Sequence, residues 1–239
     1  MIQIIGHRGA PAARPENTLT SFAHAKALGA TGIECDVRAC RSGDPYLLHD
    51  PTLERTTNGA GAIADTGPQV LAGLDAGAWF NPAFAGEAVP SLREVVELAT
   101  RLDLRLNIEI KASDPLTPAA FARRCVAIIR AHANPVSPPP LISSFAPDLL
   151  DAFAALTSWP TMRLVKDAIP DTITTPLMGI HWDLVSALAR REDHGRRWVV
   201  WGLDRRDDIA RCLRHPIAAH RLWGVITDHP DEALRHRSS

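Results

Sequence analysis

The fold class this sequence predicts is α/β, with the strands closed into a (β/α)8 barrel of the TIM type, and three observations predict it. Short apolar runs alternate with stretches of helical periodicity. The alternation repeats about eight times, which favours a parallel sheet covered by helices. The chain has 239 residues, close to the roughly 250 that such a barrel uses, whereas an open doubly wound sheet is the alternative.

Strand-like runs lie at residues 2–5, 32–38, 46–49, 104–110, 141–145, 162–165, 177–181, 198–201 and 224–227. The first helix, 18–28, carries Leu19, Phe22, Ala23 and Ala27 on one face, with Asn17 as its N-cap and Gly29 as its stop. Ser91 and Glu94 have the spacing of a capping box, and Leu92, Val95, Val96 and Ala99 form the apolar stripe behind it. Further helices are expected at 118–132, 147–156, 184–194, 205–213 and 230–236. Residues 51–89, rich in Gly, Ala, Thr and Asn, break the rhythm and read as an insertion after the second strand, too short to fold alone. Residues 1–239 therefore read as a single domain. Trp79, Phe80 and Phe84 are expected to build the insertion's own core, rather than a lip for a lipid chain.

Apolar residues make up 46% and charged ones 22%, enough for a sizeable core and a wetted surface. A net charge of −1, from 26 basic and 27 acidic side chains, argues against nucleic acid as a partner. Met1 to Ile5 runs straight into a His-Arg motif, so no leader is expected. No run approaches the roughly 18 to 20 apolar residues of a membrane span, so stable membrane insertion is not expected either. Cys35, Cys40, Cys125 and Cys212 lack both zinc-site spacing and disulfide density; they read as structural thiols of a cytoplasmic protein.

The chemistry-bearing residues cluster at the ends of the apolar runs: Gly6-His7-Arg8-Gly9, Ile33-Glu34-Cys35-Asp36-Val37, Leu48-His49-Asp50 and Asn107-Ile108-Glu109-Ile110-Lys111. Strand alternation puts Glu34 and Asp36 on one face, and Asn107, Glu109 and Lys111 on one face of another strand, with Ile108 and Ile110 turned toward the helices. Charged residues at the carboxyl ends of barrel strands read as functional. Glu34, Asp36 and Glu109 crowded together repel one another, and a divalent ion relieves this; all-oxygen ligation suits Mg²⁺ or Ca²⁺ better than zinc. Pairing with Arg8, Arg38 and Lys111 alone is the plainer alternative. His7 and His49 titrate near neutrality, which suits an acid/base pair. Arg8 and Lys111 match phosphate oxygens. Phe145 and Trp201 are placed to pack on the apolar part of a substrate, and His181 reads as structural. Together these groups make a toolkit for cleaving a phosphodiester.

The chain resembles the glycerophosphodiester phosphodiesterases over nearly its whole length. The resemblance is carried by His7-Arg8-Gly9, Pro15-Glu16-Asn17-Thr18, Glu34-Cys35-Asp36, His49-Asp50, Arg55-Thr56-Thr57-Asn58-Gly59, Asn107-Ile108-Glu109-Ile110-Lys111, Ser144-Phe145 and Ile226-Thr227-Asp228-His229-Pro230. It implies a TIM barrel with a small insertion and one Ca²⁺ or Mg²⁺ held by Glu34, Asp36 and Glu109. His7 and His49 become the acid/base pair, and Arg8 and Lys111 the phosphate and substrate contacts. The implied reaction hydrolyses a small glycerophosphodiester to sn-glycerol 3-phosphate and an alcohol through a cyclic phosphate, with His7 taken as the first base. A lysophospholipase D using the same centre, and a silent binding barrel, are the rival readings. One departure stands out: the family's Trp-Thr-Val is replaced by Trp201-Gly202-Leu203, so the glycerol end of the pocket is expected to differ.

Overall fold

The computed structural model describes residues 1–112, 114–172, 175–188, 196–216, 218 and 221–237. Its strands are β1 (Gln3–Gly6), β2 (Gly32–Ala39), β3 (Pro45–Leu47), β4 (Arg105–Ala112), β5 (Leu141–Ser144), β6 (Thr161–Val165), β7 (Leu177–His181), β8 (Arg197–Leu203) and β9 (Leu222–Thr227). All pair in parallel except β3, and β1 pairs with both β9 and β2, so eight strands close into a TIM barrel. The helices are α1 (Leu19–Ala27), α2 (Pro68–Leu71), α3 (Leu92–Leu102), α4 (Pro118–His132), α5 (Pro147–Ala154), α6 (Val185–Leu188), α7 (Arg206–Arg214) and α8 (Pro230–Arg237). Of the helix expected over 184–194, α6 is the described part, and residues 189–195 lie outside the described residues.

Alternation decides which side chains face which layer. Ile33, Cys35 and Val37 of β2 and Ile108 and Ile110 of β4 pack outward in a buried cluster with Phe22 of α1, Val95 of α3 and Phe121 of α4. The intervening Glu34, Asp36, Asn107 and Glu109 turn inward and are buried as well. Deeper in the barrel, Ile5, Leu141, Met162, Leu164, Leu177, Val199 and Ile226 make an apolar plug. The charged residues therefore stand on a hydrophobic floor, at the carboxyl ends of the strands. The capping box is present at α3, where Ser91 and Glu94 satisfy each other's backbone donors.

Three local expectations are corrected. Thr18, not Asn17, caps α1, accepting from the Ser21 amide; Asn17 sits one residue earlier at φ 56°, a left-handed conformation that asparagine tolerates, which frees its amide for another partner. The run at 46–49 is the short antiparallel β3, which doubles back along β2 (Val37 opposite Leu47), so His49 lies two residues beyond its end. The insertion's core is aliphatic: Leu53, Ile63 and Leu71 bury against Cys40 and Leu48. Its aromatics stay outside, Trp79 edge-on to Phe80, Phe80 edge-on to Phe84, and Arg14 above the Phe84 ring. Trp79 is 41% exposed. The four cysteines are free and buried. Among the described residues, no helix is long and apolar enough to cross a membrane.

Candidate active site

His7 follows β1 directly, in a tight turn closed by the Gly9 amide donating to the Gly6 carbonyl at 3.2 Å. The turn places Arg8 at φ 49° and Gly9 at φ 97°. A left-handed arginine costs about 1 kcal/mol or more and persists only where surrounding contacts impose it. Here the Arg8 amide donates to Glu34 Oε2 at 2.9 Å and the Arg8 carbonyl accepts from the Asn17 amide at 3.0 Å. The strained turn thus ties the histidine loop to β2 and to the start of α1.

The three carboxylates predicted to converge do so. Asp36 lies opposite Glu109 and Glu34 opposite Asn107 in the β2–β4 ladder. One ligand atom from each of Glu34, Asp36 and Glu109 falls within 4.8 Å of the others. Glu34 Oε1 is buried without a hydrogen-bond partner, and Asp36 Oδ1 and Glu109 Oε1 are buried with Lys111 as their shared ion-pair partner. Three buried carboxylates this close together, sharing a single lysine and leaving one oxygen orphaned, fit a hard divalent cation. Ion pairing covers part of the charge: Lys111 Nζ lies 3.1 Å from Asp36 Oδ1 and 2.5 Å from Glu109 Oε1, and Arg8 Nε lies 3.1 Å from Asp36 Oδ2. Burial, followed by the charge of Asp36, raises the pKa of Glu34 and of Glu109. Burial would raise Asp36 too, but Lys111 and Arg8 outweigh it and hold Asp36 well below the usual carboxylate range.

Asn17 is the contact that its sequence position disguised. Its amide donates to Asp36 Oδ2 at 2.8 Å, and its carbonyl oxygen accepts from the Asp36 backbone at 3.2 Å. A two-point clamp of this kind fixes the carboxylate's orientation.

Each histidine is held by a carboxylate. His7 Nδ1 is 2.7 Å from Asp228 Oδ1, and His49 Nδ1 is 2.6 Å from Asp50 Oδ1, which leaves Nε2 of each ring for substrate. Arg38 donates twice to the His49 carbonyl, at 2.9 and 2.6 Å. Arg55, from the insertion, donates to Asp50 and to both oxygens of Glu16, while Glu16 also accepts from Arg8 at 2.9 Å. One chain of charged hydrogen bonds therefore connects His49, Asp50, Arg55, Glu16 and Arg8. The two rings titrate in opposite directions. Burial lowers the pKa of His7, but the Asp228 hydrogen bond and the charge of Glu34 outweigh it and the net shift is upward. Burial also lowers His49, and Arg8 and Lys111 add to that against the charge of Asp36, so the net shift is downward.

Opposite these groups, Phe145 follows β5, Lys166 follows β6, and Trp201 lies in β8. The Phe145 and Trp201 rings meet edge to face at 5.6 Å, and His181 of β7 packs on Trp201 at 4.7 Å. Gly202 explains how that histidine fits: its φ is 76°, and a Cβ there would lie 2.4 Å from His181 Nε2. His7, Arg8, Glu34, His49, Glu109, Lys111, Phe145 and Trp201 all line one cavity of about 320 Å³, and Asp36 lies buried behind Arg8 and Lys111. Every residue singled out from sequence is thus brought to one place. Lys166 and Asn107 also line the cavity; Lys166 follows a short apolar run that carries no motif. Arg55 and Asp228 had a signal, since both fall in segments that carry the family resemblance.

Comparison with known proteins agrees with this geometry. The glycerophosphoryl diester phosphodiesterase family model matches residues 7–232. A glycerophosphodiester phosphodiesterase of Bacillus altitudinis is 40% identical over 249 residues, covering 99% of this chain and 98% of its own. One from Caldanaerobacter subterraneus subsp. tengcongensis is 32% identical over 247 residues, covering 97% and 96%. Among solved structures, an Oleispira antarctica phosphodiesterase in complex with the product sn-glycerol-3-phosphate is similar with a TM-score of 0.89 at 27% identity, covering 99% of this chain and 97% of that one.

Proposed function

The chain belongs to the glycerophosphoryl diester phosphodiesterase family, and from that membership we propose that it hydrolyses glycerophosphodiesters to sn-glycerol 3-phosphate and an alcohol with a divalent cation, Mg²⁺ or Ca²⁺, at Glu34, Asp36 and Glu109. The observation that carries the reading is the shared cavity, in which two carboxylate-held histidines face Glu34, Glu109, Arg8 and Lys111, with Asp36 buried behind the two cations. Its volume of about 320 Å³ is near the lower end of the roughly 300 to 1,000 Å³ of small-ligand sites. That favours a compact diester over a lysophospholipid that keeps its acyl chain. Four buried free thiols support a cytoplasmic location.

In the proposed reaction, the substrate's glycerol 2-hydroxyl attacks phosphorus while one histidine takes its proton. The phosphorus–alcohol bond breaks, the other histidine protonates the departing oxygen, and a five-membered cyclic phosphate remains. Water then opens the ring with the proton roles exchanged, restoring both histidines. His49, whose pKa burial and then two cations hold down, is the first base; His7, whose pKa the Asp228 hydrogen bond and Glu34 raise against burial, is the first acid. This order reverses the one expected from sequence. Arg8 and Lys111 orient the phosphate and offset charge on its oxygens. Bound at the three carboxylates, the cation would supply further neutralisation of those oxygens.

Release of glycerol 3-phosphate from glycerophosphoglycerol, glycerophosphoserine and glycerophosphocholine tests the reading. Turnover that Mg²⁺ or Ca²⁺ restores after chelation supports it. Equal turnover in excess EDTA would remove the cation from the proposal, and no turnover of any diester would remove the activity.

A further inference from the structure

The cavity has two unlike walls. Its charged wall, from β1, β2 and β4, uses its cations internally: Arg8 pairs with Glu16 and Asp36, and Lys111 with Asp36 and Glu109. Its other wall consists of Phe145, Leu164, Lys166, Trp201 and Ile226. Lys166 is exposed at the rim and, among the described residues, has no ion-pair partner. Among the described residues it is a cation in the cavity whose charge a ligand can use.

Chemistry fixes which part of the substrate reaches it. The glycerol arm has a set length and curls back so that its 2-hydroxyl meets phosphorus beside the histidines. The alcohol arm is the variable one and leads outward from phosphate to the rim. An aromatic wall can hold a quaternary ammonium group when its ring faces are open. These rings already have neighbours: Lys111 Nζ stands 6.0 Å over the Phe145 ring, and Trp201 meets Phe145 and His181 edge to face. An ammonium alcohol would meet the like charge of Lys166 beside rings that already hold Lys111 and His181, whereas a carboxylate or polyol would meet a donor.

Resting on the hydrolase reading above, we propose that Lys166 sets alcohol-group specificity, and that this chain prefers glycerophosphodiesters of carboxylate-bearing or polyol alcohols over those of quaternary ammonium alcohols. The experiment measures kcat/KM for glycerophosphoserine, glycerophosphoglycerol and glycerophosphocholine with the wild type, Lys166→Gln and Lys166→Glu, each saturated with Mg²⁺. Because both substrates of a ratio are read on the same variant, a general loss of activity cancels. The wild type should favour serine over choline by about tenfold or more, as expected for one charge contact near a surface. Lys166→Gln should shrink that ratio, and Lys166→Glu should move it at least about tenfold toward choline. A ratio that charge reversal leaves unchanged, or a wild type that prefers choline, overturns the proposal while leaving the hydrolase reading intact. If the wild type turns over none of the three, the hydrolase reading fails and the specificity proposal falls with it.

Discussion

The β1–β2–β4 side of the barrel mouth and the β5–β8 side are built from different physics. On the first, charged side chains are tied to a partner: Asn17 clamps Asp36, Asp228 and Asp50 hold the histidines, and Arg55 joins Asp50 to Glu16. On the second, aromatic rings touch edge to face, Phe145 is 42% exposed, and Lys166 stands without an ion pair among the described residues. A group that must meet phosphorus within a fraction of an ångström needs its rotamer locked by neighbours. A group that only sorts one alcohol from another works by charge and shape and tolerates play. Substitutions on the first wall should therefore change rate, and those on the second should change substrate ratio.

The largest effects belong to the histidines. His7→Ala and His49→Ala should each cost at least about 10²-fold in kcat, the usual yield of general acid/base catalysis. Their roles separate on a substrate with a nitrophenyl leaving group, which departs without a proton. His7→Ala should recover most of its rate there, and His49→Ala should not, because the 2-hydroxyl still needs a base. Recovery by His49→Ala alone would restore the order expected from sequence.

Asn17→Ala comes next, because Asn17 does not line the cavity yet its loss frees Asp36 at two points. Loss of an outer contact of this kind costs about 10- to 100-fold in metal affinity. The Mg²⁺ concentration for half-maximal activity should rise by that factor while the rate at saturating Mg²⁺ stays close to wild type. An unchanged Mg²⁺ dependence would show that the backbone, not the amide, orients Asp36.

The same contrast decides what was legible in the sequence. Glu34, Asp36, Glu109 and Lys111 could be placed because a strand's period of two is strict, and β2 and β4 are each eight residues long. His7 was legible for a similar reason, being one residue past a strand end. His49 was placed correctly by an incomplete argument: it reaches the cavity because β3 folds back along β2, a hairpin that the apolar run alone does not distinguish from another barrel strand. Asn17 looked like a cap because the position before an apolar helix favours asparagine, and only the left-handed backbone reveals that Thr18 takes the capping role. Lys166 and the fit of His181 over Gly202 depend on neighbours brought together by barrel closure, which no local pattern encodes.

Gly202 sharpens the comparison from the second wall. Gly202→Thr introduces the threonine that the family resemblance leads one to expect but meets both a φ of 76° and the His181 ring 2.4 Å from its Cβ. The backbone share alone should cost about 1–3 kcal/mol of stability. In urea unfolding, adding His181→Ala should recover the steric share and leave the backbone share, giving a measurable coupling between the two sites. Additive effects would mean that the ring moves aside freely and that Gly202 is there for its backbone alone.

The smallest effect is a pH dependence of stability on the first wall, and it tests whether the charge of Arg55 grips Asp50 and Glu16. The Arg55 hydrogen bond, the largest cause, helps lower Asp50 from 3.8 to about 2. A carboxyl depressed in the folded state contributes stability that is fully present above its unfolded pKa and is lost as pH falls through the folded one. The contribution should therefore be complete above about pH 4 and fade toward pH 2. Both side chains are partly exposed, so solvent screening keeps it to about 1 kcal/mol or less. The stability difference between wild type and Arg55→Ala, followed by urea unfolding, should be constant from pH 7 to 5 and narrow below pH 4. His7 has the opposite sign: its pKa is raised from 6.5, so its contribution is present below that value and fades as pH rises through the folded pKa. An Arg55→Ala difference that persists unchanged at pH 2.5 would mean that it comes from packing of the side chain and not from its charge, because both carboxylates it meets, Asp50 and Glu16, lose their charge on acidification.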